Sequence, residues 1–505
     1  MKLIEAWTKK KEWNKDYYIP SYDRDAIKTN TAKAPIWLHF GAGNIFRAFI
    51  AAAMDKLLDS GLCDQGIIVC EEFDKELITR VYEPYDSLSL LVTLKSDGKM
   101  DKRVIGSVME SVTELSRMKE LFCITSVQIV SFTITEKGYD GPLMRIIAEL
   151  CMERYHHSAY PIALVSMDNC AHNGEILSNA IIENAKALIS EGKTDEGFLK
   201  YLCDETKVTF PWSMIDKITP RPDEMVKLVL EEDGFCDTQL IITKKNTYTA
   251  PFVNAEETEY LVIEDKFPNG RPKLEAAGIL LADRETVDKT EKMKVGTCLN
   301  PLHTALAIYG CLLDYKTIHE EMDDVQLKTL VWKLSYQEGM PVVVNPGIIS
   351  PEQFLQDVLN KRLPNPFMPD TPERIATDTS LKIPIRFGQT LRAYSLKPEY
   401  DMGELIMIPL VIAGWLRYLL GVNDKGETFV RSKDPRLNEL TQLVYGIELG
   451  KKPLNEKGID IILKDQTIFG IDLERYGLAG KIKAMFHEMI TEEGAVRKTL
   501  MKYCN

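Results

Sequence analysis

The sequence predicts an α/β domain built on a parallel sheet, followed by a mostly α-helical domain, and three observations predict it. In the first half, β-branched apolar runs alternate with runs that are apolar at helical spacing, the pattern of a parallel sheet covered by helices. Gly41-Ala42-Gly43 stands directly between the first such strand and the first such helix. After about Asp283 the β signal fades, and helices separated by Pro and Gly take over. The expected domains are residues 1–284 and 285–505, in keeping with a 505-residue chain too long for one core.

The strand candidates, in order, are IWLHF (36–40), GIIVCEE (66–72), SVQIVSFTIT (126–135), PIALVSM (161–167) and YLVIED (260–265). Between them lie the helical runs NIFRAFIAAAMDKLLDSG (44–61), GPLMRIIAELCMERYHH (141–157) and GEILSNAIIENAKALISEG (174–192). In the second half the helical runs are EEMDDVQLKTLVWKLSYQEG (320–339), PEQFLQDVLNKRL (351–363), LIMIPLVIAGWLRYLL (405–420) and AGKIKAMFHEMITEEG (479–494). The most apolar of these, from Leu405, carries Pro409 and Arg417 and is too short to span a bilayer, so a buried helix is expected. A cleft between the domains is the default ligand site.

With 45% hydrophobic and 27% charged residues the chain has the composition of a globular protein. A net charge of −13 argues against nucleic-acid and membrane-surface partners, both of which need a basic field. An anionic small substrate would need locally placed Arg or Lys. The N-terminus has no signal-peptide core, so a cytoplasmic location is expected. The ten cysteines are scattered without C-x-x-C and are expected as reduced, small core residues. Seven histidines without zinc-ligand spacing give no expected metal.

IWLHFGAGNIFRAF puts Gly41 and Gly43 at a strand-to-helix turn, where glycines let backbone N–H groups approach a pyrophosphate. Phe46 stands where the usual third glycine would be, and a plain turn fits the same residues. The next strand ends in Glu71-Glu72, carboxylates that would bond an adenosine ribose and repel a 2′-phosphate, which favours NAD over NADP. SFTITEKGYD (131–140) and VSMDNCAHNG (165–174) are further polar strand ends of the kind that line a cofactor crevice. Thr133 and Thr135 are also ordinary strand residues, and an Asx turn alone accounts for Asp168-Asn169.

GAGNIFRAF, TITEKGY, DNCAHNG, FPWSMIDKITP, YLVIEDKFPNGRP and CLNPLHTAL follow one another in the order and approximate spacing of the long-chain mannitol dehydrogenase family, which this chain resembles from about residue 36 to 310. The resemblance implies a Rossmann-type N-terminal domain and a helical domain, NAD(P)-dependent and metal-free, with NAD favoured by Glu71 and Glu72. It implies hydride transfer between nicotinamide and an open-chain polyol, sugar acid or keto sugar. A monomer or small homo-oligomer acting on a small molecule is expected. Cofactor contacts then fall on Gly41, Gly43, Asn44, Phe46, Arg47, Glu71, Glu72, Thr133 and Thr135. Asn169 and Asn300 become donors to the substrate oxygen, Lys294 the general base, His303 an orienting group and Arg386, in PIRFGQTLRAY, a substrate-binding residue. The expected pair is D-fructuronate and D-mannonate. Mannitol 2-dehydrogenase and tagaturonate reductase activities are the alternatives, and a catalytically silent NAD or sugar-acid binder is the rival of another class. Without zinc, a desolvated lysine can serve as base and amide groups can stabilise the oxyanion.

The sequence departs from the family's pattern at Trp212, where Asn is usual, at Lys217, where Arg is usual, and at Pro301-Leu302, where a small pair is usual. The family's lysine lies five residues before the asparagine, at Val295 here, whereas Lys294 lies six before. One residue turns a regular helix by ~100°, which would leave Lys294 ~120° away from Asn300. Lys292 shares a face with His303 but lies roughly 16 Å along the axis from it. A π-bulge near Gly296 would absorb the extra residue. Alternatively Asn300 is an N-cap, with Pro301 at the first helical position. Either way, a regular helix between Val295 and Pro301 is incompatible with Lys294 as base.

Overall fold

The computed structural model describes residues 1–397, 399–453 and 456–505. The chain divides into two compact units, Met1–Asp288 and Lys289–Asn505.

The first unit is organised by a six-stranded, all-parallel sheet with strands β1 (Trp37–Phe40), β2 (Ile67–Cys70), β3 (Val108–Val112), β4 (Ile129–Phe132), β5 (Ile162–Ser166) and β6 (Val208–Thr209). Their spatial order is β3-β2-β1-β4-β5-β6. Strands β1, β2, β4 and β5 are buried at every residue, because helices cover both faces of a parallel sheet and alternation disappears. Successive residues still feed opposite cores. Trp37, Ile67, Val69 and Ile129 join one cluster, while Leu38, Phe40, Ile68, Cys70, Val130 and Phe132 join the other. The covering helices include α1 (Ala51–Asp59), α2 (Pro142–His157) and α3 (Asn173–Ser190). Strand order reverses between β1 and β4, and their carboxyl ends form the switch point where doubly wound sheets bind ligands.

Two parts of this unit differ from the sequence expectation. The run at 260–265 is a strand, Tyr260–Glu264, but it pairs with Ser213–Asp216 and Leu280–Ala282 in a separate three-stranded sheet. A four-stranded sheet of Tyr17–Tyr18, Met100–Ile105, Ser89–Leu94 and Phe252–Glu256 was not expected, nor were β3 and β6.

The second unit is helical. Helix α4 (Arg284–Met293) runs across the division, and α5 (Asn300–Leu313), α6 (Thr379–Arg386), α7 (Gly388–Leu396), α8 (Met407–Leu419) and α9 (Ala479–Met489) follow. Helix α8, from the Leu405 run, is buried along its whole length. Its first amides, on Ile406, Met407 and Ile408, donate to the carboxylate of Glu338, which supplies the acceptors that helix N-terminal N–H groups otherwise lack. Among the described residues, no helix is long and apolar enough to cross a membrane. All ten cysteines are free thiols. Cys70, Cys151, Cys298, Cys311 and Cys504 are buried as expected, whereas Cys63, Cys123 and Cys170 are half-buried and Cys203 and Cys236 exposed, so the expectation of core cysteines fails for these.

Candidate functional site

At the switch point Gly41 has φ +107°, and a Cβ there would stand 2.7 Å from the Thr133 carbonyl oxygen and 2.9 Å from its Oγ1. The turn from β1 therefore passes too close to the end of β4 for any side chain. A Cβ on Gly43 would meet nothing within 4 Å, leaving the space above the loop clear. Glu71, 6% exposed, holds this loop from the end of β2. One carboxylate oxygen accepts the Ala42 N–H at 2.7 Å, and the other accepts the N–H groups of Phe73 and Asp74, both at 2.9 Å. Burial raises its pKa against the pull of these donors. A glycine turn with open space over it, at the N-terminal end of a helix, fits the phosphates of a dinucleotide.

Several expected cofactor residues are placed otherwise. Phe46 is fully buried with its ring stacked on His39 at 4.2 Å, so it packs inside the unit instead of facing the crevice. Arg47, 2% exposed, donates to the Ala250 carbonyl, to Thr249 Oγ1 and to Asn44 Oδ1, while Asn44 Nδ2 donates to the Tyr248 carbonyl. These two side chains tie the helix start to residues 248–250. Glu71 is held by three backbone amides, and the half-buried Glu72 keeps the more accessible carboxylate. Thr133 is half-buried and takes a 2.9 Å hydrogen bond with His39 Nε2, whereas Thr135 is exposed. Trp212 packs between the His172 ring, at 4.2 Å, and the Arg284 guanidinium, at 5.2 Å.

His39 was not anticipated. It is fully buried, with Nδ1 2.6 Å from Ser131 Oγ, and burial pushes its pKa down to about 3 from 6.5. Below pH 6.5 the unfolded chain therefore binds more protons than the folded one, so stability present above that pH is lost as pH falls towards 3. The loss is about 1.4 kcal/mol per pH unit at its steepest. Urea midpoints should fall on acidification in the native chain and less steeply in His39→Asn; parallel slopes would remove His39 as the cause.

At the end of β5, Asn169 is exposed between the buried Asp168 and the half-buried Cys170. Asp168 accepts the Cys170 N–H at 2.9 Å, so the Asx turn expected there is present. Tyr139 and Asn173, within quoted motifs but given no role by the sequence, complete a buried network around it.

In the second unit, residues Lys294–Cys298 form a π-turn in which the Leu299 N–H donates to the Lys294 carbonyl at 3.0 Å. Leu299, at φ −125° and ψ −62°, then leaves helical geometry, and α5 starts at Asn300. Both departures from a regular helix occur, with one correction. Leu299 is the cap and Asn300 the first helical residue, so Pro301 is the second, where its missing N–H breaks no intrahelical bond. Gly296 sits inside the π-turn because Gln389 of α7 approaches; a Cβ would lie 2.5 Å from its Oε1. Lys294 is half-buried and Lys292 exposed.

The fold brings Asn300, His303 and Arg386 into one neighbourhood. Arg386 Nη1 donates to Thr304 Oγ1 at 2.5 Å, and Thr304 donates to the Asn300 carbonyl at 3.0 Å. His303 Nε2 lies 3.4 Å from Asp370, which also pairs with Arg374. Lys382, one turn before Arg386, donates to the carbonyls of Ile375 and Thr377. Burial and then the Arg386 charge push its pKa down to about 8, and burial pushes that of Arg386 down to about 10. Among the described residues neither cation has a carboxylate within ion-pair distance. Lys382 was not anticipated, although its i, i+4 spacing from Arg386 is visible in the sequence. Among the described residues no group of three or more His, Cys, Asp or Glu is arranged to hold a metal ion.

Residues 35–276 match the Mannitol dehydrogenase Rossmann domain, and residues 286–490 match the Mannitol dehydrogenase C-terminal domain. The D-mannonate oxidoreductase of Thermotoga maritima is 48% identical over 95% of this chain and 94% of its own length. The crystal structure of a substrate-free D-sorbitol dehydrogenase superposes with a TM-score of 0.79 at 23% identity, covering 97% of this chain and 98% of its own. The Pseudomonas fluorescens mannitol 2-dehydrogenase ternary complex with NAD and D-mannitol gives 0.71 at 24% identity, covering 99% of each chain.

Proposed function

The chain belongs to the mannitol dehydrogenase family, and from that premise we propose that it is an NAD-dependent oxidoreductase interconverting D-mannonate and D-fructuronate. The observation that carries the choice of a sugar acid over a neutral polyol is the pair Lys382 and Arg386. Two half-buried cations, the charge of Arg386 lowering the proton affinity of Lys382, with no carboxylate within ion-pair distance among the described residues, favour an anionic ligand in that place. The name of the Thermotoga maritima relative supports the same substrate.

In this reading the Gly41 loop and Glu72 hold the dinucleotide, which supplies the acceptor for hydride when bound. Lys294 removes the hydroxyl proton as the carbonyl forms. The Asn169 and Asn300 amides donate to the oxygen as its negative charge develops. His303, held by Asp370, orients the hydroxyl chain, and Arg386 receives the carboxylate.

The test is a panel of fructuronate, tagaturonate and fructose, read by loss of NADH absorbance, with NADPH in parallel. Fructuronate with NADH is expected to lead in kcat/KM by about tenfold or more, which corresponds to ~1.4 kcal/mol. A lead for fructose would make the chain a mannitol 2-dehydrogenase, and a lead for tagaturonate would make it a tagaturonate reductase. NADH binding without turnover of any of the three would make it a silent binder.

A further inference from the structure

The network behind Asn169 has more bonds than a turn requires. An Asx turn at a strand end uses one side-chain oxygen, here Asp168 Oδ1 on the Cys170 N–H at 2.9 Å. The other oxygen, Oδ2, accepts the hydroxyl of Tyr139, which reaches across from the loop after β4 and also lies 2.5 Å from Ser166 Oγ. Tyr139 is 5% exposed and Asp168 7%, so both groups are taken out of water to meet. On the far side Asn173, fully buried, donates to the Asp168 carbonyl at 3.2 Å and to Ser213 Oγ at 3.1 Å, and accepts the Ser213 N–H at 3.0 Å. The Asp168 side chain is thus fixed by both of its oxygens. Next to it, Asn169 is exposed, and among the described residues its amide has no hydrogen-bond partner.

We propose that Tyr139 is a positioning residue: through the Asp168 carboxylate it holds the turn that presents the Asn169 amide to the substrate oxygen. The proposal rests on the role given to Asn169 above. Donors aimed in advance at a developing charge avoid reorganisation during the reaction, and a donor on a short exposed turn keeps its aim only if the turn is anchored. Tyr139 joins the loops at the carboxyl ends of two adjacent strands, so it sets the Asn169 turn relative to Thr133.

The test is a double-mutant cycle on mannonate oxidation, with NADH affinity measured by fluorescence titration. Asn169→Ala should lower kcat about 100-fold or more, as loss of one oxyanion donor does. Tyr139→Phe should lower kcat about tenfold, with KM and NADH affinity unchanged, because an interaction made only in the transition state is weakened. In the Asn169→Ala background Tyr139→Phe should cost nothing further. Asp168→Asn keeps an acceptor for the turn and alters the oxygen that Tyr139 bonds, so it should reproduce the Tyr139→Phe loss and serves if that variant does not fold. A Tyr139→Phe loss that persists without Asn169 overturns the positioning role and leaves the role of Asn169 standing, as does undiminished kcat in Tyr139→Phe. Full activity in Asn169→Ala overturns both.

Discussion

Lys294→Met is expected to lower kcat for mannonate oxidation by about three orders of magnitude, within the range that a positioned general base contributes, while NADH binds as before. Oxidation of a secondary alcohol needs a group to take the hydroxyl proton, and Lys294 is half-buried where the chain leaves helical geometry. The i→i+5 bond from Leu299 to Lys294 absorbs one residue, and the kink at Leu299 ends the helix before Asn300. The projection that separates Lys294 from Asn300 in a continuous α-helix therefore does not apply. Methionine keeps the length and the apolar stem, so the π-turn has no reason to collapse. Single-turnover rates and NADH fluorescence titration separate lost chemistry from lost binding. Unchanged turnover would exclude Lys294 and move the search to Lys292 or another group.

The legible parts of this protein are those whose burial is uniform or whose backbone admits one residue type. Strands β1, β2, β4 and β5 are covered on both faces and stand out as apolar runs. Met100–Ile105 carries Lys102, which is buried only because Asp233 meets it from elsewhere in the chain, and no local pattern contains that partner. Strand β6 and the strand Tyr17–Tyr18 are two residues long, below any period. In the site, Gly41 is forced by its positive φ against Thr133, and a glycine after a strand already suggests as much. The motif positions of Phe46 and Arg47 are silent about direction: one points into the core at His39, the other back to residues 249 and 250. Glu71 lies where an acidic residue contacts ribose, but its carboxylate takes the Ala42 N–H, a contact set by tertiary approach of two loops. The displaced lysine is the instructive case. The sequence could not say how the backbone deviates, yet the mismatch between Lys294 and Asn300 located where it had to.

Arg386→Met should raise KM for mannonate about 10- to 100-fold, the equivalent of losing a charge-assisted hydrogen bond of ~1.5–3 kcal/mol. The selectivity of the change is the informative part. A guanidinium facing a carboxylate contributes two parallel bonds and a charge, so activity on mannonate should fall far more than any activity on mannitol, whose hydroxyl takes one neutral bond. Arg386→Lys should recover only part of the loss, because an ammonium keeps the charge and lacks the planar fork. The same substitutions act on Lys382. Its depressed pKa of about 8 owes its second contribution to the Arg386 charge, so Arg386→Met should move any ionisation of Lys382 seen in the pH dependence of mannonate binding upwards, and Arg386→Lys should leave it low. Burial remains the larger cause of the depression, so the shift should be partial. Equal losses on mannonate and mannitol would mean that Arg386 meets a hydroxyl, and the case for a sugar acid would then fall with it. An unmoved ionisation in Arg386→Met would mean that the two cations act separately, and Lys382→Met would have to be tested as the carboxylate contact in its own right.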